Sequence, residues 1–171
     1  MEVGRKETAY RRKEGKPLYT EQDYADIRGQ IRRRAAVLAI PAVLLLGGII
    51  AAAICRIRWL TTGLTILLGA GCIFAYGLLL SPLMAYERHL DEVLHGRVRT
   101  VTGVFKAMES TVVVRDGVRY YPMTLNVGNM DEETDDRLFY YDANLPLPDW
   151  TVGETLTVTA HDKALGDWVR A

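Results

Sequence analysis

The chain has 171 residues, with 21 Lys and Arg, 21 Asp and Glu, and two cysteines. This length holds one modest domain with additional segments but not two large domains, and two cysteines exclude a disulfide framework. The net charge of zero hides an asymmetry, because residues 1–34 hold ten Lys and Arg against six Asp and Glu, whereas residues 86–171 hold nine against fifteen. A basic front, an apolar middle and an acidic back are typical of a membrane protein with a soluble tail.

The basic front divides into two segments. Residues 1–19 have no apolar period and are expected to form a disordered basic tail. Thr20, followed three residues later by Asp23, resembles a capping box, which predicts a juxtamembrane helix over residues 20–34. The last turn of this helix places three basic side chains where they can contact lipid headgroups: Arg32, Arg33 and Arg34.

Two long apolar segments follow. Residues 35–55 are 21 consecutive uncharged residues, which as a helix span roughly 30 Å, the thickness of a hydrocarbon core. Residues 59–86 are 28 further uncharged residues, bracketed by Trp59 and Tyr86 as interfacial anchors. Both segments are predicted to be transmembrane helices, and the short connector, residues 56–58, makes them an antiparallel hairpin.

Small residues recur at four-residue spacing on both predicted helices. Such spacing allows helix backbones to approach closely in lipid, although glycine and alanine are also common in membrane helices without a packing role. The candidate helix-packing positions are Gly47, Gly48, Gly69 and Gly71.

The distribution of arginine near the helix ends predicts the orientation. Seven arginines lie on the terminal side of the hairpin, four in residues 28–34 and three in residues 88–99, whereas the connector carries Arg56 and Arg58. The sequence therefore predicts a multi-pass protein of the cell membrane, with both termini and the C-terminal domain in the cytoplasm.

The second membrane helix is expected to continue beyond the bilayer. Leu90, Val93 and Leu94 recur at helical spacing, and Gly96 is a suitable C-terminal cap. We therefore expect the helix to extend as a stalk to about residue 95.

From residue 97 to residue 171 the pattern changes to short β-prone runs, which predict a small all-β domain. Gly103 inside the first run indicates a bulge or a sharp bend, and Asp116-Gly117 between two runs is typical of a type I′ hairpin turn. Five or six strands with an insertion between the third and the fourth suit an OB-like barrel, with an SH3-like barrel as the alternative.

This order of elements resembles that of NfeD-like bacterial membrane proteins, in which membrane helices precede a small OB domain. It is also similar in plan to small two-helix membrane proteins of Gram-positive bacteria. The resemblance covers residues 35–171 as an architecture, and it implies a bacterial membrane protein with an OB domain after its helices.

The sequence contains no motif that carries a known chemistry. Nucleotide-binding, hydrolase and metalloprotease signatures are missing, and the histidines have no metal or triad constellation near them in sequence. The acidic run at residues 131–136 lacks the alternating ligands of a calcium loop and is expected to be a solvated loop. The chain is therefore interpreted as non-enzymatic, with no catalytic residue, cofactor or metal.

Aromatic side chains supply the candidate partner surface. Adjacent tyrosines occur on two predicted strands, so strand alternation places one of each pair outward unless a bulge intervenes. The candidates are Tyr121, Tyr141 and Trp150; packing in the core is the alternative for the tyrosines, and a lid over the barrel end is the alternative for the loop at residues 143–150. Nucleic acid does not suit a domain with excess acidic residues as a partner, because its phosphates require a basic surface.

The leading hypothesis is a bacterial membrane anchor that displays a cytoplasmic OB-like domain for protein-protein interaction or scaffolding. Its partners would be the lipid bilayer and either another protein or a second copy of the chain. The alternative is an auxiliary subunit of a membrane transport or secretion complex, in which the helices make the contact.

Overall fold

A computed structural model describes residues 17–130 and 132–171, and the chain divides into two compact units. One unit is Gln22–Arg88. The other unites the described residues up to Glu21 with His89–Ala171. The tail predicted over residues 1–19 lies mostly outside the described residues.

The unit Gln22–Arg88 is built from long helices. Both helical runs, residues 21–54 and 58–95, are long and apolar enough to cross a membrane. Large apolar side chains point outward along them, as at Leu44 and Ile73, which are 71% and 74% exposed. The expected pair of long apolar helices is therefore present, and its elements are α1 (Glu21–Ile54), α2 (Arg58–Ala75), a π-helical turn (Tyr76–Leu80) and α3 (Ser81–His95).

The connector between α1 and α2 is a tight turn at the C-terminus of α1. Arg56 has a left-handed φ of 58°, its amide donates to the Ala53 carbonyl at 3.1 Å, and the Ile57 amide donates to the Ala52 carbonyl at 3.0 Å. These two bonds form a Schellman motif, which satisfies carbonyls that the end of α1 leaves without a helical partner. Glycine is favoured at the left-handed position of this motif, so Arg56 adopts a conformation that its Cβ disfavours.

The π-helical turn precedes Pro82, the second residue of α3. Proline has no amide donor, and its ring collides with the carbonyl four residues earlier in an α-helix, which here belongs to Leu78. In the π-helical turn the Ser81 amide donates instead to the Tyr76 carbonyl, five residues back. The wider turn thus accommodates Pro82 within a continuous run of helix.

The other unit contains a closed β-barrel. Five strands close it in the order β1, β5, β6, β4, β3 and back to β1, and β2 is added as the hairpin partner of β3. All pairs are antiparallel except β4 with β6. The expected small barrel is therefore present, with the strands β1 (Val98–Met108), β2 (Val113–Arg115), β3 (Val118–Asn126), β4 (Asp136–Asp142), β5 (Thr155–His161) and β6 (Ala164–Arg170).

Inward-facing residues of the five closing strands fill the barrel. On β5, for example, Leu156, Val158 and Ala160 are buried while the residues between them are more exposed, as strand alternation requires. The core cluster consists of Phe105, Met123, Leu125, Phe139, Tyr141, Leu156, Val158, Ala160, Leu165 and Trp168.

Strand β1 serves two neighbours and changes partner near the predicted bend. It pairs with β5 up to Val104 and with β3 from Val104 onward, and a bulge lies between Phe105 and Ala107. A Cβ on Gly103 would lie 2.7 Å from the Asn126 carbonyl oxygen, so this close approach requires glycine. The expected hairpin turn is also present, since Asp116 and Gly117 both have positive φ between β2 and β3.

The end of α3 packs closely on β6. Leu90 and Val93 are buried, and a Cβ on Gly166 would lie only 2.7 Å from Val93 Cγ1. Gly166 lies within β6, which begins at Ala164. The glycine at its centre weakened the strand pattern but provides the space that the helix occupies.

Candidate functional site

Four polar side chains meet in a buried cluster of the barrel unit. Tyr19 lies two residues before α1, His89 lies in α3, Tyr120 in β3 and Asp142 at the end of β4. None of the four is more than 5% exposed. Buried polar groups are costly unless they are hydrogen-bonded, so the geometry of their contacts decides what the cluster can do.

The hydrogen bonds of the cluster run in one direction. Tyr19 donates its single hydroxyl proton to Asp142 Oδ2 at 3.1 Å, so the His89 Nε2, 3.2 Å from the same hydroxyl, acts as the donor to it. The neutral imidazole then accepts at Nδ1, and the Tyr120 hydroxyl at 3.0 Å donates there. The resulting order of donation is Tyr120 to His89, His89 to Tyr19, and Tyr19 to Asp142.

The electrostatic surroundings favour the same protonation states. Burial lowers the pKa of His89 below its ordinary value of 6.5; the Asp142 carboxylate opposes this effect and His161 reinforces it. Burial, and then the charge of Asp142, raises the pKa of the Tyr120 hydroxyl. A neutral imidazole and a protonated phenol are the two states that the hydrogen-bond order requires.

The cluster is fixed at its acidic end and by ring packing. Asp142 Oδ1 accepts from the Asn144 backbone amide at 2.8 Å and from the Asn144 side-chain amide at 2.9 Å. The rings of Tyr19 and Tyr120 stand edge-on to the His89 ring, with centroids 5.5 and 5.4 Å from it. Because the four side chains are buried and bonded to one another, the arrangement suits fastening of chain segments rather than binding of a substrate.

Sequence reasoning did not bring these residues together. Tyr19 fell in the predicted tail, and His89 was considered only as a metal ligand or triad member. The available signal was the position of His89 next to Leu90 and four residues before Val93, on the face of α3 that is buried. A histidine on an apolar helix face indicates a buried ring that needs polar partners.

The candidate partner-surface aromatics belong to the barrel core or lie against it. Tyr121 and Tyr141 are opposite residues of the β3–β4 pair; Tyr141 is 2% exposed, and Tyr121 is half-buried against the core. The Trp150 ring packs against the barrel core, with its centroid 5.4 Å from that of Phe105, 5.6 Å from that of Tyr141 and 5.0 Å from that of Trp168. The two tyrosines therefore lie where core packing, the alternative to a partner surface, would place them.

The four candidate packing glycines differ in their surroundings. A Cβ on Gly48 would lie 3.4 Å from Leu64 Cδ1 of α2, which is ordinary contact. At Gly47, Gly69 and Gly71 a Cβ would meet nothing within 4 Å among the described residues. Close approach of the two helices is therefore visible at Gly48.

The candidate headgroup residues lie on the exposed surface of α1. Arg32, Arg33 and Arg34 are all exposed. Arg33 and Arg34 line a cavity together with Leu79 of the π-helical turn, and Arg32 lies outside that lining.

Part of the acidic segment holds the barrel together. Asp136 accepts from Lys106 Nζ at 2.7 Å and from Asn126 Nδ2 at 2.8 Å, and these two hydrogen bonds lower the pKa of the Asp136 carboxyl. Asp135 accepts from the Asn129 amide at 2.9 Å. Asp136 thus ties the end of the segment to β1 and β3, and Asp135 contacts the loop after β3, so these two residues are less free than the solvated loop that the sequence indicated.

Within residues 17–130 and 132–171, no group of three His, Cys, Asp or Glu side chains is placed to hold a metal ion. Comparison with protein-family models, curated proteins and solved structures found no match for this chain.

Proposed function

We propose that the chain is a bacterial, non-enzymatic membrane protein that displays a cytoplasmic OB-like barrel for contact with another protein or with a second copy of itself. The observation that carries this proposal is a barrel loop, residues 143–154, that is fastened on several sides and yet presents apolar side chains to solvent. Such a surface is available for a partner without prior ordering, which lowers the entropic cost of association.

The outward apolar surface of the helices supports membrane insertion. Along α1 and α2 the large apolar side chains are mostly exposed, and Ala52 is the only buried residue in either helix. In water this surface would be strongly unfavourable, whereas a bilayer would cover it. At the connector end, Ile54 and Trp59 are each 77% exposed, which suits a turn at the membrane interface.

The strand order supports the hypothesis of an OB-like barrel over that of an SH3-like barrel. Strand β1 lies between β3 and β5, and β4 pairs in parallel with β6. This is the Greek-key order of an OB-fold barrel, whereas an SH3-like barrel is built from antiparallel neighbours.

The proposed contact loop is rigid because both of its arms are bonded to the barrel. The Tyr141 hydroxyl donates to the Pro146 carbonyl at 2.7 Å, and Arg170 donates to Asp149 Oδ1 at 2.9 Å. The Gly153 amide donates to the Phe105 carbonyl at 2.9 Å. Two apolar side chains nevertheless face solvent, with exposed fractions of 43% for Leu147 and 71% for Val152.

A non-enzymatic role is supported by the state of the ionisable groups in the barrel. His89, Tyr120 and Asp142 are buried and hydrogen-bonded to neighbouring side chains, and Asp136 is paired with Lys106. Groups engaged in this way stabilise structure, and a catalytic acid or base needs access to a substrate.

The contact can be tested with charged substitutions on the full chain. Leu147→Asp combined with Val152→Asp should abolish self-association or native co-isolation of a partner from membranes, as measured by crosslinking and light scattering in detergent. Val114→Asp is the matched control, because Val114 is 69% exposed on the β2 hairpin and outside the loop. Retention of the complex by the double variant would overturn the assignment of the contact to this loop. Loss of the complex in a Gly48→Leu variant would favour the auxiliary-subunit function, in which the helices make the contact.

The cytoplasmic placement has a separate test. A phosphatase that is active only outside the cytoplasm, fused after Ala171, should remain silent. Activity of the fusion would reverse the proposed orientation.

A further inference from the structure

Two cavities of the helical unit, Gln22–Arg88, adjoin one another because they share one lining residue. The first, about 490 Å³, is lined by Gln30, Arg33, Arg34, Val37, Leu38 and Leu79. The second, about 300 Å³, lies between α1 and α2, and Pro41, Ala42, Leu68, Gly71 and Ala75 are part of its lining. Leu38 lines both cavities, and Leu80, next to Leu79, lines the second. We call the two cavities together the helical groove.

The first end of the groove is basic and lacks an internal counter-ion. Neither Arg33 nor Arg34 forms an ion pair with any residue in 17–130 or 132–171. Arg28, one and a half turns earlier on the same helix, is paired with Glu87 at 3.2 Å. The helical unit therefore provides a carboxylate partner for Arg28 but none for Arg33 or Arg34. An anion bound at this end would pair with these two arginines through charge-assisted hydrogen bonds.

The second end of the groove is lined mostly by apolar side chains, and several of them are small. Ala42, Gly71 and Ala75 line it, and a Cβ on Gly71 would meet nothing within 4 Å. Small residues on facing membrane helices ordinarily bring the helices together, but here they leave space. In a bilayer such an apolar space is filled by hydrocarbon, since water there would lose its hydrogen bonds.

We propose that the helical groove binds one anionic phospholipid, whose phosphate contacts Arg33 and Arg34 and whose acyl chain lies against Gly71 and Ala42. The two ends demand a ligand that joins a negative headgroup to a hydrocarbon chain, and an anionic membrane lipid has this chemistry. This inference rests on the proposed insertion of the helices in a membrane. It goes further by assigning a single lipid, at a defined place, to two of the three arginines that the sequence indicated.

The test is native mass spectrometry of the full chain released from mild detergent, with phosphatidylglycerol or phosphatidylcholine added at equal concentration. The wild-type chain should retain one phosphatidylglycerol in clear preference to phosphatidylcholine. Arg33→Gln combined with Arg34→Gln should reduce that preference roughly tenfold or more, since two headgroup contacts are removed. Arg32→Gln is the matched control and should retain the preference, because Arg32 does not line the groove.

A second pair of variants tests the acyl end. Gly71→Leu should fill the groove and reduce retention of both lipids, whereas Gly63→Leu should not, because Gly63 has equally open surroundings and lies outside the groove. Equal phosphatidylglycerol retention by the wild type and the double arginine variant would overturn the site, and so would an equal loss in Arg32→Gln, which would indicate diffuse attraction. If the wild type fails to remain in carbonate-washed membranes, the anchor itself is overturned; if it remains there but shows no lipid preference, only the lipid site is.

Discussion

The Tyr120 hydroxyl lies 3.0 Å from Nδ1 of His89, so a barrel strand donates a hydrogen bond to an imidazole carried by α3. The opposite nitrogen of the same ring contacts the Tyr19 hydroxyl, which belongs to the segment before α1. One histidine therefore joins three parts of the chain, and its protonation state affects all three.

The stability of the chain should depend on pH through His89. Its pKa is lower in the folded state than its ordinary 6.5, so between these two pKa values the unfolded chain binds more protons. The free energy of unfolding should therefore fall as pH is lowered through about 6.5 and level off below the lowered pKa. Urea unfolding in detergent, followed by tryptophan fluorescence between about pH 5 and 8, measures this dependence.

His89→Gln should flatten that pH profile because glutamine does not titrate. The wild-type chain, unfolded in the same buffers, supplies the reference slope. Equal slopes for His89→Gln and the wild type would contradict the role assigned to the buried imidazole.

Tyr19→Phe should destabilise the folded chain by about 1–3 kcal/mol, the usual cost of removing one partner from a buried hydrogen-bonded group. The variant keeps the ring but deletes the hydroxyl that donates to Asp142 and accepts from His89. Tyr121→Phe is the matched control, because it removes a hydroxyl from a half-buried ring outside the cluster. A midpoint of urea unfolding that does not differ between the two variants would show that the Tyr19 hydroxyl contributes nothing.

Gly103→Ala should destabilise the barrel by about 1–3 kcal/mol through overpacking. Its Cβ would lie 2.7 Å from the backbone oxygen of Asn126, and a backbone atom cannot rotate away as a flexible side chain can. Thr100→Ala on the same strand is the control, since Thr100 is exposed and the change should stay within about 0.5 kcal/mol. Chemical unfolding of the two variants and the wild type measures these changes in the free energy of unfolding. Equal changes in the two variants would contradict the close approach at Gly103.

Arg56→Gly should stabilise the helical unit by about 1 kcal/mol, because glycine adopts a left-handed φ without the steric cost of a Cβ. Arg58→Gly removes the same charge from the same turn but lies in the first turn of α2, where glycine brings no such relief. Thermal unfolding in detergent, followed by far-ultraviolet circular dichroism, should thus show a higher midpoint for the first variant alone. A matching rise in both would attribute the gain to the removed charge instead.

The long helices and the β2–β3 turn were predicted from local sequence patterns, whereas the contacts of the buried polar cluster were not. The uncharged runs predicted the helices because length and hydropathy are properties of one segment, and Asp116-Gly117 predicted its turn because the required φ values depend on those two residues. By contrast, the contact between Tyr19 and Asp142 spans 123 positions, and no local pattern announces it. The Schellman turn at Arg56 was also hidden, since it lacks the glycine that usually indicates one.

The segments that enter and leave Gln22–Arg88 are held together at the barrel unit, since the Tyr19 hydroxyl lies 3.2 Å from His89 Nε2, 70 positions later in the chain. The stretch between them is therefore a closed loop, joined by hydrogen bonds rather than by a covalent link. Closing a loop costs configurational entropy that grows slowly with its length, about 0.6 kcal/mol for each doubling. Folding of the barrel closes this loop, so the entropic cost of closure does not arise again when α1 and α2 pair. Folding of the barrel and pairing of the helices should therefore be thermodynamically coupled.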